Sequence, residues 1–186
     1  KDGKTNKEVF ARIPNLEILG CFNNNIKERF GNVVKRDNLA LNISNALLEG
    51  NVDFVQNKLS PLLRSFVSVR DTVTKAPHEN YYHGFLNGIF TNCKDNLGEY
   101  HSNYESGDGY ADITFKDIDC RKVAIIEIKS ASVGSDLVTL SETALSQIEE
   151  KNYSEPFMSN RMIQSIYAYG IAFAGKNCFI TCKKLK

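Results

Sequence analysis

The nine residues "VAIIEIKSA", Val123 to Ala131, restrict the fold more than any other stretch of this chain. Alternate side chains of a strand face opposite ways, so Val123, Ile125, Glu127 and Lys129 share one face while Ala124, Ile126 and Ile128 line the other. Both faces read as buried. Removing a glutamate and a lysine from water costs several kcal/mol each unless they are paired or coordinate something. A strand of this kind therefore predicts partners for Glu127 and Lys129 elsewhere in the chain. The alternative is a strand end at which both side chains reach solvent as a surface ion pair, worth about 0–1 kcal/mol.

The surrounding pattern supplies the layers such a strand needs. Apolar residues every three or four positions from Pro14 to about Phe30 predict an amphipathic helix, and two further helices are expected at about Leu39 to Leu48 and Val52 to Val67. "HENYYHGFLNGIF" places Tyr82, Phe85, Leu86, Ile89 and Phe90 on one helical face, with Glu79 and His83 one turn apart at its border. Strand signals follow from Gly98 to Glu105 and in "YADITFKD", where Ala111, Ile113 and Phe115 alternate with Asp112 and Thr114. "SGDG" and "DIDC" are turns short enough for antiparallel hairpins. A helix from about Leu140 to Asn152 and two strands, "SIYAYGIAFAG" and "NCFITCKKL", complete an α+β fold with a mixed central sheet flanked by helices. Residues 1–70 read as an N-terminal helical extension packed on a core formed by residues 71–186.

With 186 residues, 42% hydrophobic and 24% charged, the chain can bury one substantial core. A net charge of +1 gives no overall attraction to nucleic acid, so contacts with phosphates must come from local groups such as Lys183, Lys184 and Lys186. Five cysteines without a CxxC pair, an odd number, fit a reduced, intracellular and cytoplasmic chain. Cys178 and Cys182 read as small buried hydrophobes. No apolar run approaches the roughly 20 residues of a membrane span, and "KDGKTNKE" is not a secretory signal. A start without methionine is read as one module of something longer.

Asp112 lies one hairpin before Glu127, and two carboxylates brought together repel unless a proton or cation sits between them. A divalent ion resolves that conflict, because Mg²⁺ takes one or two carboxylates and completes its octahedron with water and substrate phosphates. Lys129 would then stand beside it, placed to orient or help deprotonate an attacking water. Those are the requirements of phosphodiester hydrolysis.

Asp112 followed by "EIK" resembles the signature of the PD-(D/E)XK nuclease superfamily, an acid on one strand and (D/E)-x-K on the next. "IPNLEI", "ENYYHGFLNGI", "ESGDGYADI", "IIEIK", "QIEEKNY" and "YGIAFAGK" occur in the order seen in one branch, the nuclease-like domains often found C-terminal to AAA-ATPase-like domains. The resemblance spans residues 11 to 182. It implies a restriction-endonuclease-like α/β/α core and Mg²⁺ or Mn²⁺ held by Asp112, Glu127 and the Ile128 carbonyl. It further implies catalysis by Lys129, an acid from the first helix at Glu79, and a helix residue, Gln147, beside the site. Gln147 and Tyr153 match the "QI…Y" of the family's following helix; in one related group of nucleases the two are four residues apart, whereas here they are six apart. Tyr110 departs from the family, where "GxGRxDI" commonly carries arginine at this position.

The reading is a metal-dependent deoxyribonuclease, RNA remaining an alternative substrate, in a larger protein with an ATPase-like or other neighbouring domain and no membrane association. Restriction, repair and toxin-like roles, including delivery into a host cell, all fit it. The rival is a catalytically silent module that keeps the nuclease fold for nucleic-acid or protein binding.

Overall fold

The computed structural model describes residues 38–67 and 78–186, the side chain of His78 excepted. The stretch from Pro14 to Phe30 lies outside the described residues. Helix α1 spans Leu39–Leu48 and α2 Val52–Phe66, the latter opened by the Asn51 side chain, which accepts from Phe54 N at 3.1 Å. Helix α3, His78–Phe90, is followed by strands β1 (Glu99–Ser106), β2 (Gly109–Lys116) and β3 (Lys122–Ser130). Then come α4 (Leu137–Glu150), the short α5 (Glu155–Met158), β4 (Ser165–Ala174) and β5 (Asn177–Lys184).

The five strands lie in the sheet in chain order. Both early hairpins and the β4–β5 pair are antiparallel, whereas β3 and β4 run parallel, with Glu127 beside Gly170 and Lys129 beside Ala172. A parallel neighbour requires a crossover, and α4 supplies it. The sheet is therefore mixed, as its pattern predicts, and helices cover both faces.

Those faces divide the apolar residues of β3 as alternation requires. Ala124, Ile126 and Ile128 join Tyr169, Ile171 and Phe173 of β4 in one cluster with Ile43, Leu47, Val55, Leu59 and Leu63 of α1 and α2 and with Phe85, Leu86 and Ile89 of α3. Val123 and Ile125 instead pack with Ile148, Tyr153, Phe157, Ile166 and Ala168. The first two described helices and the sheet thus share one continuous hydrophobic cluster.

Three local features differ from expectation. Helix α4 starts at Leu137, one turn before Leu140, because the Asp136 side chain caps it by accepting from Val138 N and Thr139 N. It ends at Glu150, and Asn152 takes a left-handed φ of 53°. The four-residue α5 is too short to leave a periodic signal. Strand β2 breaks its own alternation: Ile113 and Phe115 face α3, whereas Ala111, expected beside them, packs with Val123 and Ile125 on the α4 side. The break falls at Asp112.

Candidate active site

Glu127 and Lys129 project from β3 on the face covered by α4. Glu127 is only 3% exposed, which disposes of the solvent-facing strand end. Its Oε1 lies 3.2 Å from Lys129 Nζ, and Lys129 also reaches Glu79 Oε1 at 3.8 Å. The lysine therefore links an acid of β3 to an acid in the first turn of α3. Glu127 Oε2 is buried with no hydrogen-bond partner. A buried polar atom of this kind is uncommon and calls for an explanation.

Asp112 comes close by a route the simple hairpin does not suggest. The β2–β3 ladder ends at Ile113↔Ile126, one step before Asp112 and Glu127 would pair. On its other side, β2 pairs with β1 in one register from Glu99↔Lys116 to Ser106↔Gly109, but the Asn103–Asp112 step is missing and Asn103 has a φ of 54°. Asp112 is thus free of regular pairing on both sides. Its Oδ2 accepts the Ile128 N–H at 2.7 Å, and its backbone oxygen lies 3.0 Å from His83 Nε2. The Ile128 side chain points into the opposite core, so this residue meets the site through its backbone.

Helix α3 is held against the sheet by Tyr82, whose ring stacks on Phe173 with centroids 4.4 Å apart and whose hydroxyl donates to Gly175 O at 2.8 Å. That anchor sets Glu79, three residues earlier, over Lys129, and His83, one residue later, over Asp112. From sequence His83 stands outside the candidate set. Its four-residue spacing from Glu79 was the available signal, but its target lies 29 residues away and leaves no local pattern.

Helix α4 brings the last candidate. Gln147 donates from Nε2 to Glu127 Oε1, and the same nitrogen lies 3.3 Å from the Tyr153 hydroxyl. The two amide hydrogens are thus shared between the carboxylate and the phenol. Tyr153 follows the helix and is almost fully buried, its carbonyl accepting from Ser106 Oγ at 2.7 Å. The β1–β2 turn docks here too, with Asp108 N donating to Lys151 O at 2.8 Å. Tyr110, by contrast, is 62% exposed.

Burial and neighbouring charges together shift Glu127, Asp112, Glu79 and Lys129. Burial, reinforced by the charge of Asp112 and opposed by Lys129, pushes the Glu127 carboxyl from its ordinary 4.5 to about 7. Burial also raises Asp112, against the hydrogen bond from Ile128, and raises Glu79, against the charge of Lys129. For Lys129, burial favours the neutral amine, but Glu127, Glu79 and Asp112 outweigh it and raise the ammonium above its usual value. Lys129 is a firmly held cation.

Among the described residues no three His, Cys, Asp or Glu side chains converge as a complete protein cage for a metal. What the site does offer is two carboxylates on neighbouring strands, one with an unpartnered buried oxygen, a set that would suit a partly hydrated ion. The residues present fit a hard divalent cation, whose other ligands would be water and phosphate.

A five-stranded mixed sheet between helical layers, with an acid on β2 and Glu-x-Lys on β3, is a nuclease-type fold of the restriction-endonuclease-like class. The chain belongs to the PD-(D/E)XK nuclease superfamily, whose family model matches residues 77–183, over half of its length. No curated protein matches it. Among the described residues no helix is long and apolar enough to cross a membrane.

Proposed function

We propose that this chain is a metal-dependent nuclease domain that hydrolyses phosphodiester bonds, with DNA as the substrate, in a larger protein that carries an ATPase-like or other neighbouring domain. The observation that carries the reading is the Glu127 carboxylate, buried with Oε2 unpartnered and close enough to Asp112 to feel its charge. A group left so costs roughly 1–3 kcal/mol or more, which a bound cation offsets.

Asp112, Glu127 and the Ile128 carbonyl would hold Mg²⁺ or Mn²⁺, which supplies polarisation of the phosphate and a more acidic water. Gln147 keeps Glu127 Oε1 in place, so Oε2 is the atom left for the ion. Lys129 keeps its proton, which favours orienting water or neutralising a phosphate oxygen over abstracting a proton. Glu79 holds Lys129 from above at 3.8 Å and is itself exposed enough to meet water or substrate.

The test is cleavage of supercoiled plasmid, linear duplex, single-stranded DNA and RNA with Mg²⁺, Mn²⁺ or EDTA, comparing wild type with Glu127→Ala and Lys129→Ala. Metal-dependent cleavage of DNA that both variants lose is the expected result. Cleavage confined to RNA would correct the substrate. A folded wild type that binds neither metal nor nucleic acid would replace this reading with the catalytically silent module.

A further inference from the structure

We infer that His83 is a positioning residue for Asp112: its imidazole takes the place of the missing sheet hydrogen bond at the Asp112 carbonyl and thereby sets the direction of the Asp112 carboxylate. The inference rests on the metal-dependent reading above and adds to it a residue that touches neither ion nor substrate.

Asp112 lies where β2 loses its partners on both sides. The β2–β3 ladder stops at Ile113↔Ile126, and the Asn103–Asp112 step is absent from the β1–β2 ladder, where Asn103 is left-handed. A half-buried peptide carbonyl released from a ladder must find another donor. His83 Nε2 is that donor, 3.0 Å away. A carbonyl only accepts, so Nε2 carries the hydrogen in this contact.

The ring is itself held. Ser102 Oγ lies 3.1 Å from the same Nε2, Asn87 Nδ2 donates to Ser102 Oγ at 3.0 Å, and that amide nitrogen is 3.4 Å from both ring nitrogens. Asn87 Oδ1 accepts from the Tyr100 hydroxyl, which turns its NH₂ group toward Ser102 and His83. The network spans α3 and β1 and ends on Asp112.

The consequence is geometric. With the carbonyl drawn toward α3, the Asp112 carboxylate reaches over to β3 and accepts from Ile128 N at 2.7 Å. The same turn of the backbone moves Ala111 to the α4 face, out of step with Ile113. Returned to regular pairing, β2 would present Asp112 in a different direction. Groups that orient a metal ligand in this way are typically worth about 10–100-fold in metal affinity or activity.

The experiment compares wild type with His83→Phe, which keeps an aromatic ring but has no donor, and His83→Gln, which can donate to the same carbonyl. Ser102→Ala, at an exposed position, loosens the ring without touching the core. Mn²⁺ affinity is read by calorimetry, folding by thermal unfolding in EDTA, and kcat and KM on a cleaved DNA. His83→Phe should fold yet bind Mn²⁺ roughly 10–100-fold more weakly, with kcat reduced and KM for DNA little changed. His83→Gln should recover most of the loss, and Ser102→Ala should give a smaller loss in the same direction. Unchanged Mn²⁺ affinity in folded His83→Phe overturns the inference, as does a His83→Gln variant no better than His83→Phe. If His83→Phe does not fold, unchanged Mn²⁺ affinity in Ser102→Ala overturns it instead. A wild type that takes no Mn²⁺ overturns the metal-dependent reading with it, whereas failure of the variants alone leaves that reading intact.

Discussion

Gly170 lies directly beside Glu127 across the parallel β3–β4 pair, and the backbone of α4 packs directly against it. A Cβ built there would stand 1.9 Å from Ser141 O and 2.6 Å from Leu145 N, both backbone atoms of α4. The absence of a side chain on one strand thus lets Gln147, on the helix above, reach the carboxylate on the next strand. Packing and chemistry meet at this one contact.

Gly170→Ala should therefore damage the site as well as the core. Backbone cannot yield as a flexible side chain can, so α4 must move outward, at a cost of about 1–3 kcal/mol or more. Urea unfolding should show that loss, and Mn²⁺ affinity should fall with it because Gln147 withdraws from Glu127. Equal stability and equal affinity would mean that the close approach is not needed to seat Gln147.

The raised carboxyls predict how the metal-free protein responds to pH. Glu127 is lifted from 4.5 to about 7, so between those values the folded protein holds a proton that the unfolded chain has released. Stability is greatest below pH 4.5 as far as this group is concerned, and it is lost as pH rises toward 7, by about 3 kcal/mol. Asp112 and Glu79 shift in the same direction and add to the trend. Unfolding in EDTA should therefore show declining stability from pH 5 to 8, less steep in Glu127→Gln, and saturating Mn²⁺ should restore stability at pH 8 by mass action. A flat or rising profile for wild type in EDTA would contradict the assigned burial of Glu127.

Lys129 separates charge from geometry. Lys129→Met leaves Glu127 without its cation, which matters little at pH 5, where that carboxyl is protonated, and much at pH 8. Stability of the metal-free variant should drop below wild type only at the higher pH. Lys129→Arg keeps the charge and should regain stability, but its wide planar guanidinium cannot take the place of a compact ammonium. Activity of both variants should be reduced roughly 10²-fold or more, as for loss of a donor aimed at developing charge. Full activity in Lys129→Arg would reduce the lysine to a generic counter-charge.

What could be read from the chain, and what could not, follows from how local each cause is. Val123 to Lys129 announced a two-sided strand because alternation and burial are properties of consecutive residues, and the structure keeps that pattern residue by residue. Asp112 and the Glu-x-Lys pair were legible together because they lie on consecutive strands of one short hairpin, although Asp112 itself stands outside the β2–β3 ladder. The reversal at Ala111 was not, since it depends on His83 from α3, the Ile128 amide from β3 and the left-handed Asn103 of β1. Tertiary contacts decide it, and no window of β2 contains them. The early start of α4 is different, for Asp136 offered a capping signal that the apolar spacing from Leu140 obscured. Gln147 was placed by resemblance, and the role of Gly170 in seating it emerged only with the helix in position.

Gln147 and Tyr153 supply a prediction about coupling. The Gln147 amide nitrogen contacts Glu127 Oε1 and lies 3.3 Å from the Tyr153 hydroxyl, so the phenol fixes which way the amide turns. Gln147→Ala should weaken Mn²⁺ binding by about ten-fold, the lower end for a group that orients a ligand. Tyr153→Phe keeps the buried ring and removes only the hydroxyl, and its effect should be smaller and in the same direction. Once Gln147 is gone, the hydroxyl has nothing in this network to orient, so the double variant should resemble Gln147→Ala rather than the sum of both. Residues that act through one contact give such non-additive cycles. Strict additivity in Mn²⁺ affinity would mean that Tyr153 serves the fold alone, through its packing against Val123, Ile125 and Ile148.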